Sequence, residues 1–292
     1  MNIAEIIFIA SSAFSAVFSL VVVVTGILWP RFMLSKNKPF STMIFYISCC
    51  DLLGSSSNCI GFPQRGSAFC SVQGFFFLYF IPASWLWTTM LVYQLRNLIL
   101  FRKIRLTMTQ VHAICWSIPL ITSCLPLTTN PYGQDDFIDG YAPCVLGGNT
   151  FSKLLWISTC DTGLSFILVV LMAVWSYQIS RFLSMADSIT TPIVNEKSLF
   201  ASMRLYPMAL FITWSPKFIE LIIRLFQGIG KTTFQIIFVP ALILCTQYGT
   251  LVAIIFFSQS PTAKLLWYNL FKQLTHRHCR TGHNNTLDDD TY

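Results

Sequence analysis

Seven times in 292 residues the chain runs through a mostly apolar stretch long enough to cross a bilayer. That repetition limits what it can fold into. A helix needs roughly 20 apolar residues to pass the hydrocarbon core, and the stretches lie at 4–29, 40–60, 70–98, 110–127, 152–179, 199–226 and 233–257. Inside lipid each must close its own backbone hydrogen bonds, and no alternating barrel pattern is present. The expected fold is all-α: an integral membrane seven-helix bundle over residues 1–259, a short amphipathic helix over 260–278, and a disordered cytoplasmic tail over 279–292.

Composition agrees: 54% of residues are hydrophobic and 11% charged, too oily for an ordinary soluble domain. Orientation follows from the basic residues. Arg31, Lys36 and Lys38 follow the first stretch; Arg96, Arg102, Lys103 and Arg105 follow the third; Arg181, Lys197 and Arg204 lie between the fifth and sixth; Lys264, Lys272, Arg277 and Arg280 follow the last. The opposite side has Arg65, Lys153 and Lys231 with the acidic Asp135, Asp136 and Asp139. This predicts a multi-pass protein of the cell membrane, with its amino terminus extracellular and its carboxyl terminus cytoplasmic. The net charge of +7 reads as topology and attraction to anionic membrane lipid, not as a nucleic-acid footprint. The first stretch is too long for a cleaved signal peptide and is expected to act as an anchor.

Most of the ten cysteines fall within the apolar stretches, where a thiol behaves as a small hydrophobe. Cys70 opens the third stretch on its outer side and Cys144 lies in the long outer loop, so a disulfide between them is expected. Cys124 as the partner, or two free thiols, are the alternatives. In "FYISCCDLLGSSSN" the acid Asp51 sits among small and hydroxyl residues. It reads either as a hydrated polar switch able to hold a cation or as a protonated acid bonded to its neighbours.

The sixth stretch, "LYPMALFITWSPKFIELIIRLF", carries Lys217, Glu220 and Arg224 at spacings that share one helical face. One reading is an internal ion-pair ladder with Arg224 snorkelling outward. The other is the wall of a pocket for a polar, anionic ligand, with Asp161 of the fifth stretch as a further partner. Pro207 and Pro216 are each expected to kink the helix, with Trp214 beside the second kink. After the last stretch, Leu266, Trp267, Leu270, Phe271 and Leu274 share a face, as expected of a helix lying on the inner leaflet. Cys279 follows in a basic setting that suits palmitoylation.

"PFSTMIFYISCCDLLGS", "CSVQGFFFLYFIPASWLWTTMLVYQL", "RLYPMALFITWSPKFIELIIRLF" and "QYGTLVAIIFFSQSP" together resemble, in order and spacing, the cyclic-AMP-receptor-like group of G-protein-coupled receptors. The resemblance implies ligand-driven activation of a heterotrimeric G protein. It also implies a disulfide role for Cys70, the second-span acid in Asp51, the sixth-span pivot in Trp214 and Pro216, and a basic outer-pocket residue in Arg224. The chain departs from the pattern at "VYQLRNL", which has no Asp-Arg-Tyr triplet, at Val252, where relatives carry asparagine, and at Lys217. Cyclic AMP is therefore not implied as the ligand.

On this reading Arg96, Arg102, Lys103, Arg105 and Arg204 face the G protein, and an extracellular small molecule meets Lys217, Glu220, Arg224 and Asp161. The alternative is a polytopic transporter or channel, although no second stretch repeats the charge and prolines of the sixth. A retinal protein is disfavoured because the seventh stretch contains no lysine. No nucleophile-base pair, metal-binding constellation or cofactor motif is readable, so an enzyme is not expected.

Overall fold

The computed structural model describes residues 3–35, 38–64, 66–129, 132–133, 143–146, 151, 155–186, 194–225 and 240–284. The long helices are α1 (Ile3–Leu28), α3 (Pro39–Asn58), α4 (Ala68–Phe101), α5 (Met108–Cys124), α6 (Thr162–Ala186) and α8 (Leu205–Leu225). Shorter ones are α2 (Pro30–Met33), α7 (Val194–Met203), α9 (Pro240–Thr246) and α10 (Tyr248–Gln259), and α11 runs over Pro261–Asn284. The all-α class holds. Among the described residues four helices are long and apolar enough to cross a membrane, and the bent pair α9 and α10, at 41° to one another, makes a fifth candidate. Helices α3 and α8 are long enough but less apolar. The first carries Asp51 with a run of serines, and the second carries Lys217, Glu220 and Arg224.

The chain divides into two units, Met1–Ala253 and Ile254–Tyr292. The first is organised around α4, whose 34 residues pack against α3, α5, α6 and α8. Helix α1 packs on the other side of α3. Local sequence explains the limits of α4. The Ser67 hydroxyl accepts from the Cys70 amide at 3.2 Å, satisfying one of the donors a helix start leaves unpaired. The helix ends at Arg102, whose φ of 57° is a left-handed turn. The Gln94 amide then donates to the Leu106 carbonyl at 2.7 Å, and Thr107 and Gln110 form a capping box that starts α5.

Two apolar clusters mark the ends of this packing. Leu78, Tyr132, Leu146 and Cys160 meet near the outer loop, and Leu95, Ile99, Ile179, Leu183 and Phe200 meet at the far end of α4. Between α3, α4 and α5, Tyr46 stacks on Trp87 at 4.8 Å, and His112 stands edge-on to both rings.

Two expectations change. The sixth stretch is not one helix, because α7 ends at Met203 and α8 begins at Leu205. Helical backbone bonds still cross the junction, from the Arg204 amide to the Phe200 carbonyl at 2.9 Å and from the Met208 amide to the Arg204 carbonyl at 3.2 Å, and Pro207 withholds a donor beside it. Only Pro216 lies within the helix. In the second unit α11 continues to Asn284, six residues past the expected limit at 278, so the helix includes residues assigned to the tail. Pro261 starts it and the Ser260 hydroxyl accepts from the Ala263 amide at 3.3 Å.

Candidate functional site

The segment around Cys144 is pinned over α4. Cys70 and Cys144 form a disulfide, with 5.2 Å between their α-carbons. The buried Gln73, one turn along, accepts from the Cys144 amide at 2.8 Å and donates to the Gly61 carbonyl at 2.8 Å. The strand residues Tyr132–Gly133 pair antiparallel with Val145–Leu146. Gly74 lets this pair press on α4: a β-carbon there would come within 2.7 Å of the Tyr132 ring and 2.9 Å of the Val145 carbonyl. The Tyr132 hydroxyl donates to the Ser123 carbonyl at 2.5 Å, and burial raises the pKa of this phenol.

A cleft of about 370 Å³, open mouth included, lies between α4, the start of α6 and α8. Its walls are Phe77 and Trp85 of α4, Asp161, Thr162 and Ser165, and Trp214, Lys217 and Phe218 of α8. Asp161 closes a π-helical turn, Ile157–Asp161, immediately before α6. The extra residue of a π turn swings the side chains that follow. It also brings the Ser158 carbonyl against the position a β-carbon of residue 163 would take, which glycine alone leaves free. Lys217 lines the cleft from α8, the helix on which Met208, Ile212 and Ile219 are exposed. An acid and a base on different helices thus line one cleft with four aromatic rings.

Beside it lies a second pocket, lined by Asp51, Ser55, Asn58, Ser84, Thr246, Tyr248 and Gly249 among others. Phe77, Trp85 and Trp214 line both spaces, and the two indoles are therefore a shared wall. The Ser84 hydroxyl donates to Asp51 Oδ1 at 2.8 Å, and Tyr248 and Thr88 share a hydrogen bond of 2.8 Å. Gly249 faces Ser15 and Ser19 of α1 and Asp51 of α3, with no room for a β-carbon. Asp51 Oδ2 and the Ser15 and Ser19 hydroxyls find no hydrogen-bond partner among the described residues. Val252, noted as a departure from the asparagine of relatives, carries no polar side chain, and Tyr248 and Gly249, a turn earlier, line the Asp51 pocket.

Pro216 removes a donor from the interior of α8, and the Ser215 hydroxyl donates to the Ile212 carbonyl, at 3.4 Å. At the far end of α4, Arg102, Lys103 and Arg105 are exposed, as is Arg204 at the break between α7 and α8. Arg96 differs from these. Its guanidinium donates to Gln178 of α6 and to Asn97, and lies 5.5 Å from the Phe101 ring centre. It joins two helices where an open partner contact was expected. Glu220 and Arg224 fall on α8 and Cys279 on α11, but their side chains lie outside the described residues.

No family model matches the chain. A stretch of 106 residues, 35% of the chain, is 28% identical to the cyclic AMP receptor-like protein A of Dictyostelium discoideum. The chain spans 28% of that relative's length. With the apolar helices, this likeness marks the chain as a multi-pass membrane protein similar in part to a receptor-like protein.

Proposed function

We propose that the chain is a seven-transmembrane receptor that binds a small extracellular ligand in the cleft and activates a heterotrimeric G protein. Its crossings are α1, α3, α4, α5, α6, α7 with α8, and α9 with α10, with the amino terminus outside and the carboxyl terminus in the cytoplasm. One observation carries the reading. The Trp85–Trp214 pair lines both the cleft beside Asp161 and Lys217 and the polar pocket around Asp51. A ligand touching Trp214 acts on a helix already weakened at Pro216 and on the packing above Asp51. Exposed Arg102, Lys103, Arg105 and Arg204 then offer a basic face to the G protein. The likeness to a receptor-like protein supports the same class.

The bent pair α9 and α10 favours a second reading, since broken spans recur in transporters. Reconstitution in vesicles separates the two. A compound library is screened for nucleotide exchange on added G proteins and for flux of the same compounds. Ligand-stimulated exchange without flux is expected. Flux without exchange would replace the receptor by a transporter.

A further inference from the structure

We propose that the cleft between α4, α6 and α8 selects a small zwitterion carrying an ammonium and a carboxylate, of the amino-acid or betaine class. This rests on reading the cleft as the ligand site.

The two charges reach the cleft from different elements, Asp161 from the turn before α6 and Lys217 from α8. A plain anion satisfies Lys217 but confronts Asp161 in a space walled by aromatic rings, where an uncompensated charge is costly. A plain amine meets the reverse problem at Lys217. Asp161 and Lys217 each hold an interaction within the chain, and a zwitterion offers both a replacement partner in one binding event.

The aromatic wall favours the cationic end. Trp85 and Trp214 meet edge to face at 4.7 Å, Phe77 lies 6.5 Å from Trp214, and Phe218 lies 5.9 Å from Trp85. An ammonium seated within about 6 Å of one of these ring faces gains cation–π attraction. The hydroxyls of Thr162 and Ser165 line the acid's side of the cleft and add hydrogen-bonding capacity there. The enclosed part of the cleft is small, about 40 Å³, and the rest opens to solvent. The occupant is therefore compact.

The test uses the full chain in lipid nanodiscs and matched probes: valine with isobutylamine and isovalerate, phenylalanine with phenethylamine and hydrocinnamate, and glycine betaine. Affinity is read from thermal stabilisation as each probe is titrated, with no G protein present. At least one zwitterion is expected to bind about tenfold or more tighter than either single-charge fragment. In Lys217→Met the matching amine should equal the zwitterion, and in Asp161→Asn the matching acid should. If an acid fragment matches its zwitterion in the parent, or no zwitterion stabilises it, the assignment fails, whether or not the variants fold. A zwitterion that binds without stimulating nucleotide exchange removes the receptor reading and leaves this one standing. A receptor driven only by a singly charged molecule does the opposite.

Discussion

The indoles of Trp85 and Trp214 meet edge to face, 4.7 Å between ring centres at an interplanar angle of 83°, and form the shared wall of the cleft and the polar pocket around Asp51. The contact joins the helix that organises the bundle to the one that carries Pro216. A disturbance of either pocket is therefore felt in the other through two rigid rings.

Trp214 is 5% exposed, so truncation leaves a cavity. Trp214→Ala should cost about 3–5 kcal/mol. Trp214→Phe keeps a ring and should lose only about 0.5–1.5 kcal/mol of pair geometry. Thermal unfolding in detergent orders the variants. If the pair couples the pockets, the Phe variant should bind ligand while its nucleotide-exchange response falls.

The Cys70–Cys144 bridge closes a loop of 74 residues. Chain entropy assigns it about 4 kcal/mol. Reductant should lower the melting temperature of the parent and leave a Cys70→Ala, Cys144→Ala double variant unchanged. Equal sensitivity of both would mean that another thiol is responsible.

A β-carbon at Gly249 would press on the Ser15 and Ser19 hydroxyls of α1 and the β-carbon of Asp51 on α3. Gly249→Ala should push α10 away from Ser15 and Ser19 and cost about 1–3 kcal/mol. Asp51→Asn retains an oxygen for the Ser84 hydroxyl and should be milder than Asp51→Leu, which leaves Ser84 buried without that acceptor. Melting temperatures of the three variants check the order.

The Tyr132 phenol should give the outer loop an alkaline limit. Its pKa is raised above the ordinary 10.0 by burial, so the folded state holds its proton after the unfolded chain has released it. The stabilisation is complete below about pH 10 and declines as pH rises beyond it. Tyr132→Phe loses the bond to Ser123, about 1 kcal/mol at neutral pH. Its unfolding should then be less sensitive to pH above 10 than the parent's.

Much of the fold was legible because apolar length is a strong signal. The helices α1, α4, α5 and α6 sit on the runs that suggested them, and an outer Cys70–Cys144 pair was readable from the side each cysteine occupies. The break at Arg204 was hidden inside continuous hydrophobicity, and Pro207 three residues later was its only sign. The π turn before α6 was also invisible, since periodicity cannot register one extra residue. Gly163 beside Asp161 was the available hint. The aromatic partners of Trp214 lie on α4, far away in sequence, and no spacing rule connects them. Arg96 looked like its basic neighbours, and only the position of Gln178 a helix away distinguishes it.

On the receptor reading, occupancy of the cleft moves the Arg204 end of α8. The direct measurement is the distance between spin labels at positions 102 and 204, in a chain with Cys49, Cys59, Cys124 and Cys279 replaced. A compound that stabilises the parent should shift the distance distribution, and Lys217→Met should abolish that shift. An unchanged distribution with the cleft occupied would contradict the claim.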